Sequence, residues 1–251
     1  MRKVLILAGY DPTGGAGVIR DFITIRDFGV HPFAVITSLT VQNPKGVVKV
    51  VEREYEEIKN EVDYLTKILE FDAVKVGMLY SINAVKVLQD ILNKNIPVVL
   101  DFILKSKNGH ILLKENAAKK VIEEIIPEIY FLHANRKEAE YLTKMEIKTA
   151  YDAVEAGMDI LDRGCKYVSI TSGDYKELFD VLVGKDITLL YKEKKMKKKM
   201  HGTGCIFTSA IAAGIANGKN IKEAFRDARK YVRKKIEESV KICDECYYLP
   251  I

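Results

Sequence analysis

The stretch Val4-Leu-Ile-Leu-Ala8, Gly9-Tyr-Asp-Pro-Thr-Gly-Gly-Ala-Gly17, and then Val18, Phe22, Ile25 and Phe28 at helical spacing decides the fold class. Its opening is a short unbroken apolar run, which reads as a buried strand. The later recurrence reads as an amphipathic helix, which Gly29 stops. The same alternation continues along the chain. Phe33 to Leu39, Ala73 to Val76, Val98 to Leu100, Ile129 to Leu132 and Tyr167 to Ile170 are strand candidates. Helical segments at Tyr55 to Leu69, Ile82 to Asn93, Ala117 to Ile126, Lys137 to Thr143 and Ala150 to Arg163 separate most of them. Strands alternating with helices predict an α/β fold with a mainly parallel sheet. Phe179 to Val183 and Ile187 to Tyr191, with Gly184 and Lys185 between them, predict a hairpin. With no linker, long repeat or low-complexity tract beyond a lysine cluster, residues 1–251 are expected to form one domain.

In an open parallel sheet the residues just after the strands share the carboxyl edge, where ligands bind. Asp11, Gln42 and Asn43, Gly77 and Met78, Asp101, Asn135, and Thr171 to Gly173 all occupy such positions, so separate segments are expected to converge on one crevice.

Composition narrows the function class. The chain has 251 residues, 48% hydrophobic and 30% charged, with 16 Gly and 6 Pro, which excludes a disordered or collagen-like protein. Cys165, Cys205, Cys243 and Cys246 are too few and too unevenly spread for a secreted disulfide framework, so a reducing cytoplasm is expected. Cys243 and Cys246 make a lone C-x-x-C, read as structural. Met1-Arg2-Lys3 before Val4 begins like a signal peptide, but Gly9, Tyr10 and Asp11 end the apolar run. No stretch approaches the roughly 20 apolar residues of a membrane helix. The net charge of +5 is modest and gathers at Lys192, Lys194, Lys195 and Lys197 to Lys199, without the interleaved aromatics of a nucleic-acid surface.

Two glycine motifs carry chemistry. Gly9 to Gly17 lies between a strand and a helix, where free backbone N–H groups can hold an anion or a polar ring, although it matches neither the Walker pattern nor the dinucleotide fingerprint. His201-Gly-Thr-Gly-Cys205 opens the small, apolar segment Ile206 to Ala216, which reads as a buried helix. Amides at such a start, with the positive end of the helix dipole, form an anion hole for a transferring phosphoryl group. Cys205 sits at that start, where a thiol with a reference pKa of about 8.5 is expected to be lowered toward the thiolate.

Gly9-Tyr-Asp-Pro-Thr-Gly-Gly-Ala-Gly17, Thr37-Ser-Leu-Thr-Val-Gln-Asn43, Lys75-Val-Gly-Met-Leu79, Asn135-Arg-Lys-Glu138 and His201-Gly-Thr-Gly-Cys205 together resemble the hydroxymethylpyrimidine and phosphomethylpyrimidine kinases of thiamine synthesis, members of the ribokinase-like superfamily. The motifs keep the family's order over essentially the whole chain. The resemblance implies a three-layer sandwich with helices on both faces of the sheet. It also implies ATP-dependent phosphorylation of 4-amino-5-hydroxymethyl-2-methylpyrimidine and of its monophosphate, Mg²⁺ as cofactor, and a homodimer without nucleic-acid or membrane partners. Cys205 is implied to be the general base, and Gly202, Thr203 and Gly204 to stabilise the phosphoryl group. Gly9, Asp21, Gln42, Met78 and Ile103 are implied to line the pyrimidine pocket, with the Gln42 amide reading the aminopyrimidine edge. Asn135, Thr171 and Gly173 are implied on the nucleotide side, and Asp101 and Glu138 at the metal.

The sequence departs from the family's pattern in two places. Asp101-Phe102-Ile103 stands where Asp-Pro-Val is usual, and Thr171-Ser172-Gly173 where Lys-Gly-Gly is usual. Thr-Ser at this place is similar to the related pyridoxal kinases, which makes pyridoxal phosphorylation the alternative within the enzyme class. A non-catalytic pyrimidine-binding sensor is the alternative outside it.

Overall fold

A computed structural model of the chain describes residues 1–172, 178–193, 201–243 and 246–248. In chain order the elements are β1 (Lys3–Tyr10), α1 (Gly17–Asp27), β2 (His31–Asn43), β3 (Gly46–Glu52), α2 (Tyr55–Thr66), β4 (Ala73–Val76), α3 (Ile82–Leu92), β5 (Val98–Asp101), α4 (Glu115–Lys120), β6 (Phe131–Asn135), α5 (Arg136–Thr143), α6 (Ala150–Leu161), β7 (Tyr167–Thr171), β8 (Leu178–Gly184), β9 (Ile187–Glu193), α7 (Thr203–Ala216), α8 (Ile221–Glu238), β10 (Val240–Cys243) and β11 (Cys246–Tyr248). Each predicted strand and helix has its counterpart here. α4 runs on through a π-helical turn at Val121–Ile125, which completes the segment expected as one helix.

The main sheet has nine strands in the order β3-β2-β1-β4-β5-β6-β7-β8-β9. Its centre, from β2 to β7, is parallel. β3 pairs antiparallel with β2 at one edge, and the predicted hairpin, β8 with β9, joins β7 antiparallel at the other. The alternation along β1 shows why the sheet is buried on both faces. Leu5 and Leu7 enter one core with Ile58, Val85, Leu88 and Ile125, while Val4, Ile6 and Ala8 enter another with Ile211, Ala224 and Phe225. The first core lies under α2 to α6, the second under α1, α7 and α8. This is the three-layer, ribokinase-like arrangement.

Three features lie outside the sequence expectation: β3, the amphipathic α8, and the small separate hairpin β10–β11, in which Cys243 and Cys246 are cross-strand partners. The hairpin closes on the carboxyl edge of the main sheet, where Tyr247 O accepts a hydrogen bond from His201 N at 3.3 Å.

Candidate active site

The first glycine loop is organised by Asp11. One carboxylate oxygen accepts the backbone N–H and the hydroxyl of Thr13 at 2.8 and 2.7 Å; the other accepts Ala16 N–H at 2.9 Å and lies 3.3 Å from His201 Nε2. Burial opposes charge on Asp11, but these bonds, with another from the Gln42 side chain, outweigh it and hold the carboxyl down at about 2. The buried Arg20 grips the other side of the loop, its Nε and Nη2 both donating to Gly14 O at 3.0 and 2.7 Å. Asp11 was legible only as a polar residue after a strand; its place at the junction of Gln42 and His201 comes from the structure.

The second glycine loop packs directly on the first. Gly202 precedes α7 at φ +79°, and a Cβ there would stand 2.0 Å from Gly15 O, so neither backbone conformation nor space allows a side chain. Thr203, Gly204 and Cys205 form the first turn of α7, whose leading amides have no intrahelical partner. Gly204 faces Asp101, the last residue of β5, with the carboxylate 3.6 Å from where a Cβ would be.

Cys205 is 8% exposed and departs from expectation. Burial pushes its thiol up to about 12, and the charges of Asp21 and Asp101 add to that; the nearby Lys75 ammonium and a hydrogen bond from the Gly17 backbone only partly oppose them. The helix start therefore does not lower this thiol, because desolvation of a thiolate exceeds the effect of the helix terminus.

Beneath Cys205 lies an ion pair with no solvent contact. Lys75 Nζ donates to Asp21 Oδ2 at 2.6 Å, and Ser209, one turn along α7 from Cys205, donates to Asp21 Oδ1 at 2.8 Å. Asp21, expected to line the pyrimidine pocket, is 0% exposed, with both oxygens engaged below the crevice. Lys75 lies in the Lys75-Val-Gly-Met-Leu79 motif, to which the resemblance gives no role for it. Its signal was available: a lysine inside a strand buried on both faces needs a partner.

The other pocket residues gather on the β1, β2 and β4 side. A Cβ on Gly9 would come within 2.9 Å of Met78 Sδ, and the backbone carbonyl of Met78 is held by Thr37 Oγ1 at 2.5 Å. Ile103 lines a small cleft with Gly77, Asp101 and Leu113. On the far side Asn135 caps α5. Its Oδ1 accepts Glu138 N–H at 3.1 Å, and Glu138 returns a carboxylate oxygen to Asn135 N–H at 2.8 Å. Thr171 is the register partner of Asn135 on β7; Gly173 and residues 194–200, which include most of the lysine cluster, lie outside the described residues.

Asp101 and Glu138 form a buried acidic pair, 4% and 6% exposed. Burial raises Asp101 to about 6, tempered by Lys75 and by hydrogen bonds with Cys205 and Thr208. Burial and the Asp101 charge raise Glu138 to about 8, against the N–H groups of Asn135 and Leu104. Two oxygen donors that repel one another suit a hard divalent cation that keeps most of its water. Among the described residues no larger cluster of His, Cys, Asp and Glu is able to hold a metal.

A parallel sheet whose carboxyl edge gathers a glycine loop with unpaired helix-start amides, a buried thiol and an acidic pair is the arrangement of a ribokinase-like phosphotransferase. The phosphomethylpyrimidine kinase family model matches residues 11–249, and the chain belongs to that family. It is 32% identical to a hydroxymethylpyrimidine/phosphomethylpyrimidine kinase of Bacillus subtilis, over 96% of this chain and 91% of that protein. A crystal structure of phosphomethylpyrimidine kinase from Clostridium difficile superposes with a TM-score of 0.84 at 33% identity, covering 94% of this chain and all of that one. An ADP complex of Bacillus subtilis pyridoxal kinase superposes with a TM-score of 0.90 at 28% identity, covering 99% and 97% of the two chains.

Proposed function

We propose that the chain transfers the terminal phosphoryl group of ATP to the hydroxymethyl group of 4-amino-5-hydroxymethyl-2-methylpyrimidine and then to the resulting monophosphate, as the hydroxymethylpyrimidine/phosphomethylpyrimidine kinases of thiamine biosynthesis do. One observation carries this reading: Asp11 meets both the Gln42 side chain and His201, the residue just before the Gly202–Cys205 loop, which brings a ring-reading group beside the amides that open α7.

In this reading Gln42 reads the aminopyrimidine edge, Gly9, Met78 and Ile103 enclose the ring, and Asp21 supports the pocket from below. The amides of Gly202, Thr203 and Gly204 stabilise the phosphoryl group in flight, where positioning and charge supply most of the rate. Cys205 takes the hydroxyl proton. It acts from its thiolate, the minor form of a thiol pushed up to about 12, so turnover rises with pH by about tenfold per unit across the neutral range. Asn135 and Thr171 border the nucleotide. Asp101 and Glu138 would hold Mg²⁺, which when bound neutralises charge on the nucleotide phosphates.

Cys205→Ala is expected to lower kcat by about 10²–10⁴-fold with pyrimidine binding retained. Near-wild-type turnover of that variant, or a flat pH profile between pH 6 and about 8, would remove Cys205 as the base. Pyridoxal phosphorylation is the second reading, supported by the likeness to a pyridoxal kinase and by Thr171-Ser172. Competing the two substrates in one coupled assay separates them; the pyrimidine is expected to win by kcat/KM.

No helix among the described residues is long and apolar enough to cross a membrane, and the proposed compartment is the cytoplasm. The proposed assembly is a homodimer, supported by the exposed apolar strip Leu39, Val41, Val48 and Val51 on β2 and β3. Sedimentation as a monomer at micromolar concentration would exclude it.

A further inference from the structure

The β2–β3 hairpin ends in Gln42 and Asn43 on one strand and Gly46 and Val47 on the other. Gln42 pairs across to Val47 and Asn43 to Gly46, just beyond a register shift at Val41 and Gln42. β3 is the sheet's edge, so the outward backbone groups of Val47 have no neighbouring strand. They are met instead by a residue 61 positions along the chain. Asn108 Nδ2 donates to Val47 O at 2.9 Å, and Val47 N–H donates to Asn108 Oδ1 at 3.2 Å. The side-chain amide thus stands in for one residue of a further strand, on the very residue opposite Gln42.

The loop that presents Asn108 is fixed in advance. Ser106 N donates to His110 O and Gly109 N to Ser106 O, both at 2.9 Å, while Ser106 Oγ donates to Asn108 Oδ1 at 2.6 Å. Gly46 lies beneath it at φ +145°, where a Cβ would come within 2.3 Å of Asn108 Cγ. Val47 is 5% exposed and its neighbour Val48 70%, so the contact buries one residue of an otherwise open strand.

We propose that Asn108 is a positioning residue for pyrimidine recognition: by clasping both backbone groups of Val47 it fixes the end of the β2–β3 hairpin and so the place of the Gln42 amide at the crevice. The inference rests on the reading of Gln42 as the group that meets the pyrimidine. It assigns Asn108 no contact with substrate. An asparagine that only protected a sheet edge would affect stability and nothing else.

The test combines amide exchange with steady-state kinetics on the full chain. Asn108→Ala removes both hydrogen bonds to Val47 and the one accepted from Ser106 Oγ. The Val47 amide is expected to exchange about tenfold faster, and the pyrimidine KM to rise about tenfold, with kcat and the ATP KM within about twofold of wild type. Asn108→Asp keeps the acceptor for Val47 N–H, loses the donor to Val47 O, and is expected to fall between. Unchanged exchange at Val47 in Asn108→Ala overturns the clasp, and faster exchange with an unchanged pyrimidine KM overturns the positioning role. Gln42→Ala with an unchanged pyrimidine KM would defeat the underlying reading of Gln42 and leave the exchange result standing.

Discussion

Two lysine–carboxylate pairs flank the crevice, alike in chemistry and opposite in setting. Lys75–Asp21 lies in the floor at 0% exposure of both side chains, braced by Ser209; Lys114–Glu52 lies on the β3 side, with its partners 41% and 31% exposed. The floor pair is tied through Ser209 to the first turns of α7, and its charges are fixed and dry. The hairpin side bears Gln42 and shows water a row of apolar and charged residues. The protein thus keeps its costliest ion pair under the Cys205 turn of α7 and leaves the one on the β3 side to water.

Removing one lysine from each pair tests the contrast most directly. Lys75→Met leaves Asp21 buried without its counter-charge and is expected to cost about 3–5 kcal/mol in denaturant unfolding. Adding Asp21→Asn should recover much of that loss, since the penalty lies in the uncompensated carboxylate. A loss below about 1 kcal/mol for Lys75→Met would show that the floor is no different from the surface.

The acidic pair gives an intermediate effect, visible in its pH dependence. Glu138 has its folded pKa raised from 4.5 to about 8, so the folded state binds the extra proton, and this contribution to stability is complete below 4.5 and lost as pH rises through about 8. Asp101 behaves alike over a lower window, from 3.8 through about 6. Glu138→Gln preserves the acceptor for the α5 cap but does not titrate. Unfolding free energy should therefore decline with pH between 6 and about 8 in the wild type and stay level there in the variant. Parallel curves above pH 6 would remove Glu138 as the titrating group.

The smallest effect belongs to the exposed pair. Lys114→Met should change stability by less than about 1 kcal/mol, because water screens the pair and Lys114 also lies 4.9 Å from the Tyr80 ring centre, over which an apolar chain can still pack. Equal losses for Lys75→Met and Lys114→Met would erase the distinction between floor and entrance.

What the sequence showed follows the same division. The parallel strands were legible because burial on both faces makes them continuous apolar runs, and their carboxyl ends located the crevice. β3 was not, because Gly46-Val-Val-Lys-Val-Val-Glu52 is an edge strand that needs only one covered face. α8 was missed because its buried seam of Ile221, Ala224, Phe225 and Ala228 is narrow within a highly charged helix. Within the site, the glycine loops and Cys205 were marked by spacing, but the direction of the thiol's shift was misjudged, since depth of burial is not written in a local motif. Asn108 carried no local signal, for its partner Val47 is 61 residues away.

The contact of Gly202 with the Gly15 carbonyl bears on how such a pocket can be re-engineered. A library that varies residue 202 alone should return glycine and little else, because every other side chain meets main chain that cannot step aside. A side chain at 202 would require the main chain at Gly15 to move as well, which ties these two distant segments into a single unit of inheritance.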